Sequence, residues 1–306
     1  MRRFVIALTL ACSPYALAQS VDGHPDLQGY WTNSTLTPLE RPAQFAGKAV
    51  LSPAEAAAYE AQLRANNNRD QRGESADADV GQAYNQFWFE RGNSIVGSHR
   101  TSLITDPADG HIPALTPEAQ KRVDAARAYN TAHSVDGPEN RGLAERCLIW
   151  GTAGPPMIPG PYNNAYQIVQ TRDYVMILTE MIHDARIIPL DGRPHLPGGV
   201  RQWMGNPRGH WEANTLVVDS IGFNGKAPFR GSDQNLHLTE RFTRVAPGTL
   251  LYQFTVDDPT AFTKPWSVEI PFAKTSGPIF EYACTEGNYA MTDMLAGARA
   301  AEKTIH

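Results

Sequence analysis

The sequence predicts a mainly β fold, either an antiparallel barrel or a sandwich, with two or three peripheral helices. From residue 146 onward, short runs of β-branched and aromatic residues alternate with turns that contain Gly and Pro. No helical pattern is interleaved between those runs, which argues against a parallel α/β sheet. The helical patterns that do occur stand before the β region and at the end of the chain.

Strand-like segments begin near the N-terminus and dominate the second half of the chain. The predicted strands are 26–32, 100–104, 166–170, 174–182, 185–189, 236–244, 250–257, 266–272 and 279–284. A further β-hairpin is predicted within 200–223, with Glu212–Thr215 as its turn and the apolar run 216–218 as its second arm.

The helices carry clear start signals. Ser52 is an expected N-cap, with Pro53 at the first helical position and Glu55 completing a capping box. Thr116 and Pro117 begin a second helix in the same way. A third is expected from about residue 288. The polar stretch 66–79 between the first two predicts a loop.

Two short fragments share a glycine two residues before a tryptophan, Gly29–Trp31 on the first strand and Gly209–Trp211 on the hairpin. A glycine allows close packing where a Cβ would clash. The simplest interpretation is that both tryptophans fill the core. The first fragment also resembles the Gly-x-Trp signature of lipocalin-like barrels, which implies a barrel of that type.

The N-terminus predicts export. Arg2 and Arg3 precede an apolar run, and Ala16 and Ala18 suit the small-residue positions of a cleavage site. We therefore expect a signal peptide at 1–18 and a periplasmic or secreted protein, with a lipoprotein anchored at Cys12 as the alternative. The mature chain is expected to divide into an N-terminal strand, arm, helices and loops at 19–145 and a barrel with a C-terminal helix at 146–306. These two parts are expected to form one compact unit.

Charge and cysteine content narrow the possible partners. The net charge of −5 argues against nucleic acid or an anionic membrane as partner, and no later segment suggests a membrane span. The expected partner is a small-molecule ligand or substrate, and the sequence predicts no oligomeric state. In an oxidising compartment, Cys147 and Cys284 are expected to form a disulfide, with two buried thiols as the alternative.

Several common catalytic patterns do not occur in the sequence. It contains no Gly-x-Ser-x-Gly elbow, phosphate loop or dinucleotide fingerprint. The histidines are scattered without a His-Glu-x-x-His motif. We accordingly predict no cofactor and no metal site.

One candidate constellation comprises Glu180, Asp184 and Arg186. If the chain reverses near His183 and Asp184, Arg186 returns opposite Glu180 on the adjoining strand. Charges in such apolar runs are tolerated when they are paired. The sequence therefore predicts a Glu180–Arg186 pair facing a pocket, with a solvent-facing pair on an edge strand as the alternative.

A second constellation lies on the last long hairpin. With a five-residue loop, His237 faces Asp257 and Arg241 faces Gln253 across the ladder, while the opposite face is apolar. The polar face either contacts solvent or lines a polar lumen. In the second case, His237 is a general base or acid that Asp257 orients.

An aromatic segment, 84–89, follows the polar loop. Its rings either anchor the core or form a platform that faces a ligand.

Five segments together resemble a large family of secreted, uncharacterised bacterial proteins. They are RTSLITDPADGHIPALTPEAQKR, TEMIHDARIIPLDGRPH, RGHWEANTLVVDS, LHLTERFTR and EYACTEGNYAMTDMLAGAR. The resemblance covers nearly the whole mature chain and implies an exported, β-rich protein without a named activity. This chain departs from it at Thr285, where the family has a histidine, so no catalytic or metal role is expected at that position.

These observations predict a periplasmic, cofactor-independent enzyme, a lyase, isomerase or hydrolase, that acts on a small plant- or sugar-derived molecule. Glu180, Asp184, Arg186 and His237 are expected to share one pocket. The predicted catalytic residues are His237, Asp257 and Glu180. The predicted substrate-binding residues are Asp184, Arg186, Trp203, Arg208, Trp211 and Arg241. A non-catalytic ligand-binding barrel of the cell envelope is the alternative, and a structural envelope protein is a third class.

Overall fold

The computed structural model describes residues 22–71, 73–80 and 85–304. The predicted signal peptide, the alternative anchor Cys12 and Tyr84 lie outside these residues. The strands are β1 (Gly29–Thr32), β2 (Ile104–Asp106), β3 (Ala165–Gln170), β4 (Tyr174–Thr179), β5 (Ala185–Pro189), β6 (Asn206–Glu212), β7 (Thr215–Ile221), β8 (His237–Ala246), β9 (Thr249–Asp257) and β10 (Trp266–Thr275). The helices are α1 (Pro53–Asn67), α2 (Ala76–Val80), α3 (Pro117–Ala132) and α4 (Ala290–Thr304).

The ten strands form one antiparallel sheet in the order β5-β4-β3-β1-β10-β9-β8-β7-β6, with β2 paired to β10. This confirms a mainly antiparallel β fold. Within the described residues, the hydrogen-bonded ladder ends at β5 and β6 and does not close into a barrel.

The two edge strands, β5 and β6, pack closely against each other through side-chain contacts. A Cβ added to Gly209 of β6 would lie 2.8 Å from Ile188 Cγ2 of β5 and 2.6 Å from Leu190 Cδ2. Contacts this short exclude any larger residue unless the chain shifts. Gly209, two residues before Trp211, therefore allows β6 to approach the side chains of β5 and Leu190 closely.

The core lies on one face of the sheet, where alternate residues of β8, β9 and β10 are buried. Trp31 is fully buried there, and its Nε1 donates a hydrogen bond to the carbonyl oxygen of Leu27 at 2.9 Å. Trp211 packs against the same core while partly buried, and its ring stacks on His24 with centroids 4.5 Å apart. The core-filling interpretation is confirmed for Trp31, whereas Trp211 is only partly buried.

A charged network is buried within this apolar interior. Arg186 of β5 binds Glu240 of β8 through both terminal nitrogens, with Nη1 3.0 Å from Oε1. Tyr252 donates its hydroxyl hydrogen to the same carboxylate at 2.7 Å, and the backbone N–H of Met157 donates to that hydroxyl at 3.1 Å. The Arg186 and Glu240 side chains are 1% and 0% exposed. Since β5 and β8 are not neighbours in the sheet, the pair connects two distant strands through the interior.

The helix starts follow the sequence signals. Ser52 and Glu55 form the predicted capping box of α1, and Thr116 caps α3 through Ala119 N at 3.2 Å. The described residues hold four α-helices rather than two or three, because α2 begins within the stretch predicted as a loop. The helix predicted from about residue 288 is α4.

Two strand predictions need correction. Only Ile104 of the predicted strand 100–104 belongs to β2, because the backbone N–H groups of Thr101 and Leu103 donate to carbonyl oxygens outside the sheet, at Ala49 and Pro38. The segment 279–284 is not a strand. It leaves β10 through Gly277, whose φ of +60° favours glycine, and it ends at a disulfide.

The disulfide joins Cys147 and Cys284, whose Cα atoms are 5.8 Å apart. The predicted pairing is confirmed. No helix within the described ranges is both long enough and apolar enough to cross a membrane.

Candidate active site

A cleft of about 790 Å³ lies where three parts of the chain meet. Its wall comprises residues 87, 88 and 90, the end of the β3–β4 hairpin at Asn163 and Glu180, and the segment 280–288 that carries Cys284. Four of these residues are glutamates, so we call this feature the acidic cleft. The sequence predicted only Glu180 among them as a site residue.

Strand ends position Glu180. It follows β4 directly, and its backbone N–H donates to the carbonyl oxygen of Ala165 at the start of β3, 3.0 Å away. Asn163 precedes β3 with a φ of +52°, a left-handed conformation that asparagine adopts more readily than most residues. Its side-chain Nδ2 donates to Glu180 Oε1 at 2.6 Å. The β3–β4 hairpin thus ends in a carboxyl group held by an amide.

Burial dominates the electrostatics of Glu180, which is 4% exposed. Burial raises the pKa of its carboxyl above the ordinary glutamate value, because water no longer stabilises the charged form. The hydrogen bond from Asn163 lowers that pKa to a smaller extent, and the charge of Glu90 raises it further. Glu180 therefore keeps its proton to a higher pH than an exposed glutamate does. Its neighbour in the cleft, Glu90, is exposed to solvent.

Aromatic rings stand at the rim of the acidic cleft. Phe87 is 82% exposed and Trp88 is 57% exposed, and Phe280, which borders the same cleft, is also exposed. Large apolar side chains exposed together at a cavity are typical of surfaces that contact a ligand. For the described part of segment 84–89, the ligand-facing alternative fits Phe87 and Trp88, and the core-anchor alternative does not.

A second cavity of about 390 Å³ adjoins the acidic cleft and shares Glu90, Glu180 and Phe280 with it. Arg91 lines this smaller cavity, together with serine and threonine residues from β1 and the end of β10. A carboxyl group with a raised pKa and an arginine thus border the same cavity.

The register predicted for the last hairpin is confirmed. His237 pairs with Asp257, and Arg241 pairs with Gln253. These side chains lie on the face away from the core, which is the solvent-facing alternative, so His237 does not point into a lumen. Asp257 is exposed, and the histidine instead binds Asp219 of β7 through Nε2.

Asp219 bridges two histidines, an arrangement that the sequence analysis did not predict. Its Oδ2 lies 2.8 Å from His195 Nε2, and its Oδ1 contacts His237. Burial raises the pKa of Asp219, but the hydrogen bonds from the two histidines outweigh burial and hold that pKa below its usual value. His195 Nδ1 faces the carbonyl oxygen of Asn206 at 2.8 Å, so both ring nitrogens of His195 face acceptors.

The predicted shared pocket of Glu180, Asp184, Arg186 and His237 does not form. Arg186 faces the core and pairs with Glu240 rather than Glu180, because Glu180 lies beyond the end of β4. Asp184 follows the same tight reversal, and burial raises the pKa of its carboxyl. His237 is on the outer face of β8.

The other predicted binding residues lie outside the acidic cleft. Arg208 donates through Nε to the carbonyl oxygen of Pro194 at 2.9 Å. Arg241 pairs with Glu212 at 2.8 Å on the outer face of the sheet. Trp203 is partly exposed in the loop before β6, and Trp211 packs on the core. None of these four borders the acidic cleft.

Across the ranges that the structure describes, no group of three or more His, Cys, Asp or Glu residues could hold a metal ion. No family model matches the chain, and no curated protein matches it significantly.

Proposed function

We propose that this protein is an enzyme that uses acid–base chemistry on a small, ring-containing plant- or sugar-derived molecule bound in the acidic cleft. The observation that carries the proposal is the position of Glu180, a buried carboxyl group with a raised pKa in the wall of an aromatic-rimmed cavity. Perturbed carboxyl groups that border a cavity are frequent acid–base catalysts.

Two glutamates in different surroundings supply complementary functions. Glu180 retains a proton and can donate it to a leaving oxygen or to a carbonyl oxygen of the substrate. Glu90 is exposed to solvent and can accept a proton from water or from the substrate. After product release, Glu180 takes up a proton from solvent and Glu90 returns to solvent the proton that it gained, so both groups regain their starting states. A proton donor and a proton acceptor in one cleft suit the reaction of a hydrolase, a lyase or an isomerase.

The rim explains the preference for a ring. Phe87 and Trp88 expose flat apolar surfaces that a sugar or aromatic ring can cover, which removes apolar area from water on both partners. The same exposed rings would also serve a non-catalytic ligand-binding protein, which is the second candidate function.

The proposal places the protein in the periplasm or outside the cell. The Cys147–Cys284 disulfide supports this location, together with the N-terminal export signal and the resemblance to a secreted family. The close approach of β5 and β6 supports describing the fold as a lipocalin-like barrel with an unbonded seam.

The test uses a panel of 4-nitrophenyl glycosides and uronides, assayed for released nitrophenol and, by mass spectrometry, for elimination or isomerisation products. Glu180→Gln should lose at least roughly a hundredfold in turnover while still binding substrate, since general acid catalysis contributes about 10²–10⁴-fold. Phe87→Ala should weaken binding. Glu118→Gln, which removes an exposed carboxylate from α3, is the matched control and should behave as wild type.

The two candidate functions give different outcomes. Binding of a panel member without turnover by the wild type would favour the ligand-binding protein. Full turnover by Glu180→Gln would refute the catalytic assignment.

A further inference from the structure

Arg91 lacks a counter-ion within the described part of the chain. Its guanidinium carbon lies 4.0 Å from the centroid of the Phe89 ring, and Arg69 approaches the same ring at 5.8 Å. The Nη1 atom of Arg91 is buried and has no hydrogen-bond partner among the described residues. Stacking on Phe89 holds the guanidinium in place, but it leaves donor hydrogens unused.

This arrangement is unfavourable in the absence of a ligand. Burial lowers the pKa of Arg91, and the positive charge of Arg69 lowers it further. A buried donor on a charged group is normally satisfied by an acceptor, because leaving it unsatisfied costs free energy. An anion that reached the guanidinium would supply the missing acceptor and would also screen Arg91 from Arg69.

The location of Arg91 connects it to the acidic cleft. Arg91 borders the 390 Å³ cavity together with Glu90 and Glu180. It also borders a further cavity of about 380 Å³, which Arg230 lines and to which no acidic residue contributes among those described. An anionic group that binds Arg91 on the side of the 390 Å³ cavity would share that cavity with the proposed catalytic acid.

We propose that Arg91 anchors a carboxylate of the substrate, so that the substrates are small ring-containing organic acids such as sugar acids or hydroxylated aromatic acids. This inference rests on the proposed function and specifies its substrate class. A guanidinium matches the planar carboxylate with two parallel hydrogen bonds. A phosphate group is disfavoured, because its second negative charge would meet Glu90 in the same cavity.

Two matched pairs of probes test the charge requirement by calorimetry. The first pair is 4-nitrophenyl β-D-glucuronide and 4-nitrophenyl β-D-glucoside, which differ by a carboxylate in place of a hydroxymethyl group. The second pair is 4-hydroxybenzoate and 4-hydroxybenzamide. The wild type should bind at least one acid roughly ten- to hundredfold more tightly than its neutral partner, the range expected for hydrogen bonds to a charged group.

Variants of Arg91 identify the residue responsible. Arg91→Gln should abolish the preference for the acid, and Arg91→Lys should reduce it, because lysine keeps the charge but loses the planar fork. Arg172→Gln removes an exposed arginine from the β3–β4 turn and is the matched control, which should keep the preference within about twofold because distant exposed charges are screened. If Arg91→Gln fails to fold, Arg91→Lys alone provides the comparison.

Three results would overturn the assignment of a carboxylate at Arg91. These are the absence of acid binding to the wild type, equal binding of an acid and its neutral partner, and displacement of a bound acid by inorganic phosphate at lower concentration than by acetate. Failure of the catalytic proposal is separate. If Glu180→Gln keeps full turnover while Arg91→Gln loses acid binding, the carboxylate site at Arg91 is supported and the acid–base role of Glu180 is refuted.

Discussion

Replacing Arg186 by methionine tests the buried charged network most sharply. The variant keeps an unbranched apolar side chain of similar length but leaves the Glu240 carboxylate without its bidentate partner in the core. Breaking a buried ion pair from one side typically costs about 3–5 kcal/mol in the free energy of unfolding. Both side chains are almost fully buried, so we expect the loss to fall in that range. At roughly 2–4 °C per kcal/mol, the thermal midpoint should fall by about 6–20 °C.

The assay is urea unfolding of the disulfide-intact protein, followed by tryptophan fluorescence and circular dichroism. A double-mutant cycle separates the pair from its surroundings: Arg186→Met combined with Glu240→Leu should be more stable than Arg186→Met alone, because no unpaired charge remains. Arg241→Met is the matched control. It breaks the exposed pair with Glu212 on the opposite face of β8 and should cost less than about 1 kcal/mol.

Two results would refute this reasoning. One is a cost below about 1 kcal/mol for Arg186→Met, which would mean that water or rearrangement satisfies Glu240. The other is a double variant no more stable than Arg186→Met, which would mean that the loss comes from packing rather than from charge.

Three further predictions concern single residues. Because burial raises the pKa of Glu180, the wild type loses stability as pH rises from about 4.3 through that raised pKa. The thermal midpoint of Glu180→Gln should therefore rise relative to that of the wild type between pH 4 and pH 8. The pKa of Asp219 is shifted in the opposite direction, so its stabilisation is present above about pH 3.9 and is lost as pH falls. The thermal midpoint of Asp219→Asn should therefore fall less than that of the wild type when the solution is acidified. Gly209→Ala should cost about 1–3 kcal/mol in urea unfolding through overpacking, whereas Gly248→Ala, in open space, should change stability by less than about 1 kcal/mol.

Local chemistry made much of the fold predictable. The capping residues Ser52 and Thr116 specify helix starts through hydrogen bonds within one turn, which the sequence order alone determines. The pairing of His237 with Asp257 follows from a short connection between β8 and β9, since loop length and alternation fix the register.

Partners that depend on distant strands could not be predicted in this way. Asp219 reaches His237 across the β7–β8 pairing, whose long connection leaves the register open. Arg186 meets Glu240 across the interior, which requires the curvature of the whole sheet. The predicted pairing of Glu180 with Arg186 is wrong because β4 ends at Thr179, one residue before Glu180, and Arg186 lies opposite Ile177 instead.

The acidic cleft illustrates the same limit. Its walls come from segments that do not pair in the sheet, including 280–288, which the disulfide to Cys147 holds beside the β3–β4 hairpin. Glu180 and the aromatic segment 84–89 were the sequence signals for this site, and the sequence left open whether the aromatic rings face the core or a ligand.

The most direct test of the central claim is a pH titration of the Glu180 carboxyl by carbon-13 NMR in glutamate-labelled protein, with Glu180→Gln used to assign its resonance. We predict that this resonance titrates above the ordinary glutamate value of about 4.3, because burial disfavours the charged form. A resonance that titrates at or below that value would show an ordinary ionised carboxylate and would contradict the role of Glu180 as a proton donor.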